Sequence, residues 1–146
     1  MKKSEVLSLA TELAKLVDKD VGNVKAAYAI ARNIKIIAPI VSDLESLKEK
    51  VTKEFEDART ALCELHADKD EDGKVKVEND QYVGLPNDEF SDALKELIES
   101  HQPRIQEFND LLQEDEDVEL YKVDIENLPS TLTAQQMLVL FSIIKE

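Results

Sequence analysis

The stretch IARNIKIIAPIVSDLESLKEKVTKEFEDARTALCEL, residues 30–65, decides the fold. Stepping alternately by four and three from Ile30 gives Ile34, Ile37, Val41, Leu44, Lys48, Val51, Phe55, Ala58, Leu62 and Leu65. Only Lys48 interrupts the apolar series, and Leu47 stands beside it. That spacing keeps every member on one side of an α-helix, whereas a strand needs a period of two. The pattern predicts a helix over residues 23–67, roughly 65 Å long at the helical rise. Pro39 removes one backbone hydrogen bond and is expected to bend it, leaving an arm over residues 40–67.

Downstream, residues 88–113 make a second patterned arm, with Phe90, Leu94, Leu97, Ile98, Ile105, Phe108, Leu111 and Leu112 on its apolar face. Asn87 or Asp88 can cap it, and Pro103 should kink or divide it. Two amphipathic arms of nearly equal length predict an antiparallel hairpin, each arm burying the stripe of the other. The connector, residues 68–87, is acidic. Its Asp72-Gly73 pair signals a turn, and Lys74–Val77 with Tyr82-Val83 could make a small β-hairpin or short strands. A further strand is expected over residues 117–126, although its two faces do not separate cleanly into polar and apolar.

Upstream, residues 4–17 carry Val6, Leu9, Ala10, Leu13, Leu16 and Val17 on one helical face, with Ser4 as the expected N-cap. Asp18–Gly22 interrupts the pattern, and Asp20 or Asn23 could cap the next helix. At the other end, Thr133 and Gln136 form a capping box that opens a packing helix over residues 133–145. The expectation is one mainly α domain over residues 1–146, a long coiled-coil-like antiparallel helical hairpin with short strands and a C-terminal packing helix.

Composition supports helix. The chain has 3 Gly, 4 Pro and no Trp among 146 residues, and is 34% charged. Its formal net charge of -14 is uneven. Residues 1–50 hold 9 Lys/Arg and 7 Asp/Glu, whereas residues 51–146 hold 9 and 25. Such a field repels phosphate backbones and anionic lipid, which argues against direct nucleic-acid or membrane binding. Cys63 is the single cysteine, so no internal disulfide forms, in keeping with a reducing compartment. No run of about 18 apolar residues exists to span a membrane. The polar residues that follow Met1-Lys2-Lys3 interrupt any signal-peptide core.

Little in the sequence carries chemistry. Asp68, Asp70, Asp72 and Gly73 match positions 1, 3, 5 and 6 of a calcium-binding EF-hand loop, and Val75 matches position 8. Position 12 is Asn79, which lacks the bidentate carboxylate, and the following residues look extended where a second helix is needed. Weak Ca²⁺ binding and a merely solvated acidic turn both stay open. His66 and His101 would sit several turns apart on the hairpin and share no metal. Cys63 lies near a helix C-terminus beside Glu64, with no base to activate it. No glycine-rich phosphate loop is present. Arg32-Asn33, inside an apolar helix, is either a recognition or interior polar contact or a solvent-facing side shared with Lys25 and Lys35. No catalytic, cofactor-binding or metal residue emerges, and no cofactor is expected.

Four short motifs, Tyr28–Lys35, Asp70–Val77, Glu89-Phe90 and Leu132–Phe141, resemble a family of small uncharacterised proteins of tailed bacteriophages and prophages, over about residues 23–146. The chain departs from that family in its longer second arm around Ser100–Glu114 and in its N-terminal helix. The resemblance implies a phage or mobile-element origin and a role in the bacterial host cytoplasm or in virion assembly. It offers no functional residues. The expectation is a non-enzymatic module that binds a host or phage protein, or a second copy of itself. The alternative is an acidic inhibitor that mimics nucleic acid and blocks a host nucleic-acid-binding or defence protein.

Overall fold

The computed structural model describes residues 1–146 and is mainly helical. Helix α1 covers Lys3–Leu16, α2 Val24–His66, α3 Asp88–Gln113 and α4 Ala134–Leu140. Strands β1 (Val77–Glu78) and β2 (Gln81–Tyr82) form an antiparallel pair with Val77 opposite Tyr82. The chain divides into two compact units. The first comprises Met1–Ser46 and Asp110–Glu146, the second Leu47–Asn109.

The first unit owns the main core. Val6, Leu9, Leu13 and Leu16 of α1 are buried with Ala26, Ala29, Ile30 and Ile37 of α2 and with Val123, Leu128, Leu140, Ile143 and Ile144. Complete burial of such aliphatic side chains contributes about 1.5–3 kcal/mol each, the dominant favourable term here. Asn23 caps α2 by accepting the Ala26 N–H at 2.9 Å, while its amide donates to the Asn127 carbonyl at 2.8 Å. The same side chain thus ends one element and ties down another.

Helix α1 starts one residue before the expected Ser4 cap. Residues 1–3 pair with residues 114–116, through Lys3 N–H to the Glu114 carbonyl at 3.0 Å and Glu116 N–H to the Met1 carbonyl at 2.7 Å. Glu5 then accepts the Lys2 N–H at 2.7 Å. Lys3 Nζ also meets Glu114 and Glu116 at 3.2 and 3.5 Å. The Glu114 hydrogen bond raises the Lys3 pKa above 10.5, with both carboxylates adding to it against partial desolvation.

The strand expected over residues 117–126 is not formed. That segment is extended, makes one parallel bridge between Val123 and Ile144, and ends in a 3-10 turn at Ile125–Asn127. Its faces did not separate because it lies in no sheet and follows α2 instead. The C-terminal helix is correspondingly shorter than 133–145. A 3-10 turn at Phe141–Ile143 follows α4, after which the backbone of residues 143–145 bonds to Val123. The Thr133–Gln136 capping box is present, at 3.0 and 3.2 Å.

The second unit is the hairpin. Phe55 faces His101 with ring centroids 5.2 Å apart, and His66 faces Phe90 at 6.3 Å. Arg104 meets Glu54 at 3.3 Å. These pairs run antiparallel, rising along α2 as they fall along α3. Asn87 closes the base by accepting the Phe90 N–H at 2.8 Å and donating to the His66 carbonyl at 3.1 Å. Neither proline divides its helix, since α2 runs through Pro39 and α3 through Pro103 without a break. Both prolines are exposed, so water can reach the carbonyl each leaves unbonded.

The tight turn of the β-hairpin is Asn79-Asp80. Both residues have positive φ, 52° and 61°. That is the geometry of a two-residue turn matched to strand twist. Asp72-Gly73 makes a separate turn earlier in the connector, closed by Gly73 N–H to the Asp70 carbonyl at 3.0 Å. The Leu85–Pro86 peptide bond is cis.

Candidate interaction surfaces

Asn33 resolves the polar pair inside α2. It has 0% exposure, and its side chain bonds the Tyr121 backbone on both sides. Its Nδ2 donates to the Tyr121 carbonyl at 2.9 Å, and its Oδ1 accepts the Tyr121 N–H at 2.7 Å. A helix offers an extended neighbour no free backbone groups, so a side-chain amide supplies the donor and acceptor that a strand would have given. The interior reading therefore holds for Asn33 and the solvent-facing one for Arg32, which is exposed along with Lys25 and Lys35. The clamp also fixes the Tyr121 ring against Tyr28, edge to face at 5.2 Å and 80°.

A second feature of the first unit is an apolar groove of about 270 Å³ between α1 and α2, walled by Ala10, Ala14, Val17, Ile34, Ala38 and Val41. The alanines leave it open, and Val17 at its edge is 55% exposed. On α4, Leu138 is 70% exposed and neighbouring Phe141 58%, whereas Leu140 and Ile144 are buried.

In the second unit, only Cys63, Ala67 and Phe90 are buried. The expected seam residues Val51, Phe55, Ala58, Leu62, Leu94 and Leu97 are only half-buried. Leu47, Leu65, Ile98 and Ile105 are 44, 66, 47 and 39% exposed. Two helices side by side can cover only one stripe each, so individual aliphatic side chains remain open among charged ones.

The chemistry-bearing candidates are dispersed. Asp70 Oδ1 accepts the N–H groups of Asp72 and Lys74, both at 2.9 Å, as a turn-stabilising side chain does. The Asp68 carboxylate lies over Gly84, where a Cβ would come within 2.5 Å of it. Asn79 stands in the β-hairpin turn. The loop residues do not converge, and no group of three His, Cys, Asp or Glu has metal-holding geometry. His66 and His101 lie apart, each beside a different phenylalanine. Cys63 borders an open groove of about 410 Å³ with Arg59, Tyr82 and Pro86. Glu12 holds Lys15 through Oε1 at 2.6 Å, while its buried Oε2 has no partner. No helix is long and apolar enough to cross a membrane.

No family model matches the chain, and no curated protein or solved structure matches it.

Proposed function

We propose that the chain is a non-enzymatic protein–protein interaction module, encoded by a phage or mobile element and acting in the bacterial cytoplasm. The observation that supports it most is the second unit, where Leu47, Leu65, Ile98 and Ile105 stand well exposed on a hairpin that buries three side chains. Exposed aliphatic residues set among charged ones are what a partner helix or groove engages. The assigned origin rests on the short motifs at residues 28–35, 70–77, 89–90 and 132–141. The test is chemical crosslinking in a bacterial host, comparing the parent chain with Ile98→Asp and Leu65→Asp. Loss of one defined crosslinked protein in both variants, with helicity retained, supports the reading. A crosslinking pattern unchanged by either substitution rejects it.

A second reading is favoured by the 25 carboxylates of residues 51–146: an acidic decoy that occupies a basic nucleic-acid channel. Binding of that kind weakens steeply as salt screens it, whereas aliphatic contacts persist. Complex retention across a salt series separates the two.

A further inference from the structure

Lys25, Tyr28, Arg32 and Lys35 are spaced three, four and three apart, so they share one side of α2. All four are exposed, and Tyr28 packs edge to face on Tyr121, itself 43% exposed. None of the three cations forms an ion pair or a side-chain hydrogen bond, although acids outnumber bases 32 to 18 in the chain. The segment that supplies Tyr121 carries Lys122 and Asp124, which are engaged by the Ser142 carbonyl and by Lys145, and also the exposed acids Asp117, Glu119 and Glu126, so the cationic row belongs to α2 alone. A row of free cations around a fixed aromatic pair therefore stands out on an acidic molecule.

We propose that this surface docks an acidic segment of a partner protein, one in which carboxylates flank a bulky apolar side chain. The inference rests on the interaction-module reading and names its partner chemistry. Charge complementarity selects the occupant, since three cations without partners match a run of carboxylates. The aromatic pair supplies the apolar contact, and tyrosine and arginine are the side chains that most often dominate binding energy. Asn33 holds the Tyr121 backbone at both its N–H and C=O groups, so that side of the surface is ordered before binding and loses little freedom on it. Nucleic acid fits less well, because its backbone carries a phosphate at every nucleotide and only three cations would hold it, whereas a peptide can confine its carboxylates to the two sides of one apolar contact.

The probe is a fluorescein-labelled peptide of twelve residues, glutamate and aspartate around a central Phe-Leu pair, titrated by anisotropy against the full chain. Saturable binding is expected, weakening as salt rises toward physiological strength, where charges are screened beyond about 8 Å. Arg32→Glu and Tyr121→Ala should each weaken it at least tenfold. Tyr121→Ala keeps the backbone clamp, and far-ultraviolet circular dichroism verifies that both variants are folded. Lys95→Glu, in the other unit, should leave binding unchanged. No binding, equal binding by Arg32→Glu, or equal displacement by a twelve-nucleotide single strand overturns the proposal. So does self-association of the parent chain abolished by Arg32→Glu, because the occupant is then a second copy. If the defined crosslink of the parent survives Arg32→Glu but not Ile98→Asp, this inference fails while the interaction-module reading stands.

Discussion

Replacing Asn33 with leucine keeps most of the side-chain volume and removes both hydrogen bonds to Tyr121. The Tyr121 N–H and C=O then lose their side-chain partners at a partly buried site. An unpaired buried polar group costs about 1–3 kcal/mol, so two cost at most roughly 2–6 kcal/mol, less what water reaching this partly buried site and the lost desolvation of Asn33 return, which leaves about 2–3 kcal/mol. For a unit of about 60–100 residues each kcal/mol shifts the melting temperature by roughly 4–8 °C, so a fall on the order of 10–20 °C is expected. The assay is thermal unfolding followed by near-ultraviolet circular dichroism, where Tyr28 and Tyr121 sit in a fixed edge-to-face pair. Hydrogen exchange at the Tyr121 amide should accelerate in step. Asn33→Asp should do worse than Asn33→Leu at neutral pH, because it sets a buried carboxylate against the Tyr121 carbonyl. If Asn33→Leu melts within about 2 °C of the parent and the Tyr121 amide exchanges at the parent rate, the clamp contributes nothing and the reasoning is wrong.

The other expectations follow from backbone geometry and charge. Pro39→Ala should restore a helical hydrogen bond and stabilise the chain by up to about 3 kcal/mol, read from the denaturant midpoint; destabilisation would mean the proline is needed for packing. Asp80→Gly should tighten the β-hairpin by about 0.5–1 kcal/mol, since a side chain at φ 61° is disfavoured, and amide protection at Val77 and Tyr82 reports it. Gly84→Ala should cost about 1–2 kcal/mol, because φ is +84° and the new Cβ meets the Asp68 carboxylate. Lys3 has a raised pKa, so its pairing with Glu114 and Glu116 is fully present below 10.5 and is lost as pH climbs through the raised value. The stability difference between the parent chain and Lys3→Met should therefore vanish in strongly alkaline buffer and stay constant from pH 7 to 9.

The helices were legible because their evidence is local and repeated. The bounds 23–67 and 88–113 follow from the apolar period; Thr133 announces its cap by residue type, while the choice of Asn23 over Asp20 and of Asn87 over Asp88 comes from the structure. What the sequence hides is pairing at a distance. Nothing in residues 114–116 advertises that they bond to residues 1–3, so the start of α1 was placed at Ser4. Residues 117–126 carry strand-like residues, yet they pair only at Val123, with residues 143–145, and at Tyr121, with the side chain of Asn33 eighty-eight positions away, for which no sequence pattern exists. Strands at Lys74–Val77 and Tyr82-Val83 imply a turn between them, but the sequence does not single out Asn79-Asp80 as its two positive-φ residues. The Tyr28–Tyr121 surface was half visible: the row of cations lies on one helical side, but its aromatic partner comes from the segment that Asn33 holds.

Cys63 has a consequence of its own. It is the only thiol, nine-tenths covered, and it borders an open groove whose other walls include Tyr82, Leu85 and Pro86 from the connector. A thiol reagent reaches the sulfur through that groove, so the rate of its reaction with the folded chain becomes a stopwatch for exposure beside the connector. Adding a docking protein to the same reaction would show, by a slowed clock, whether it rests on the connector.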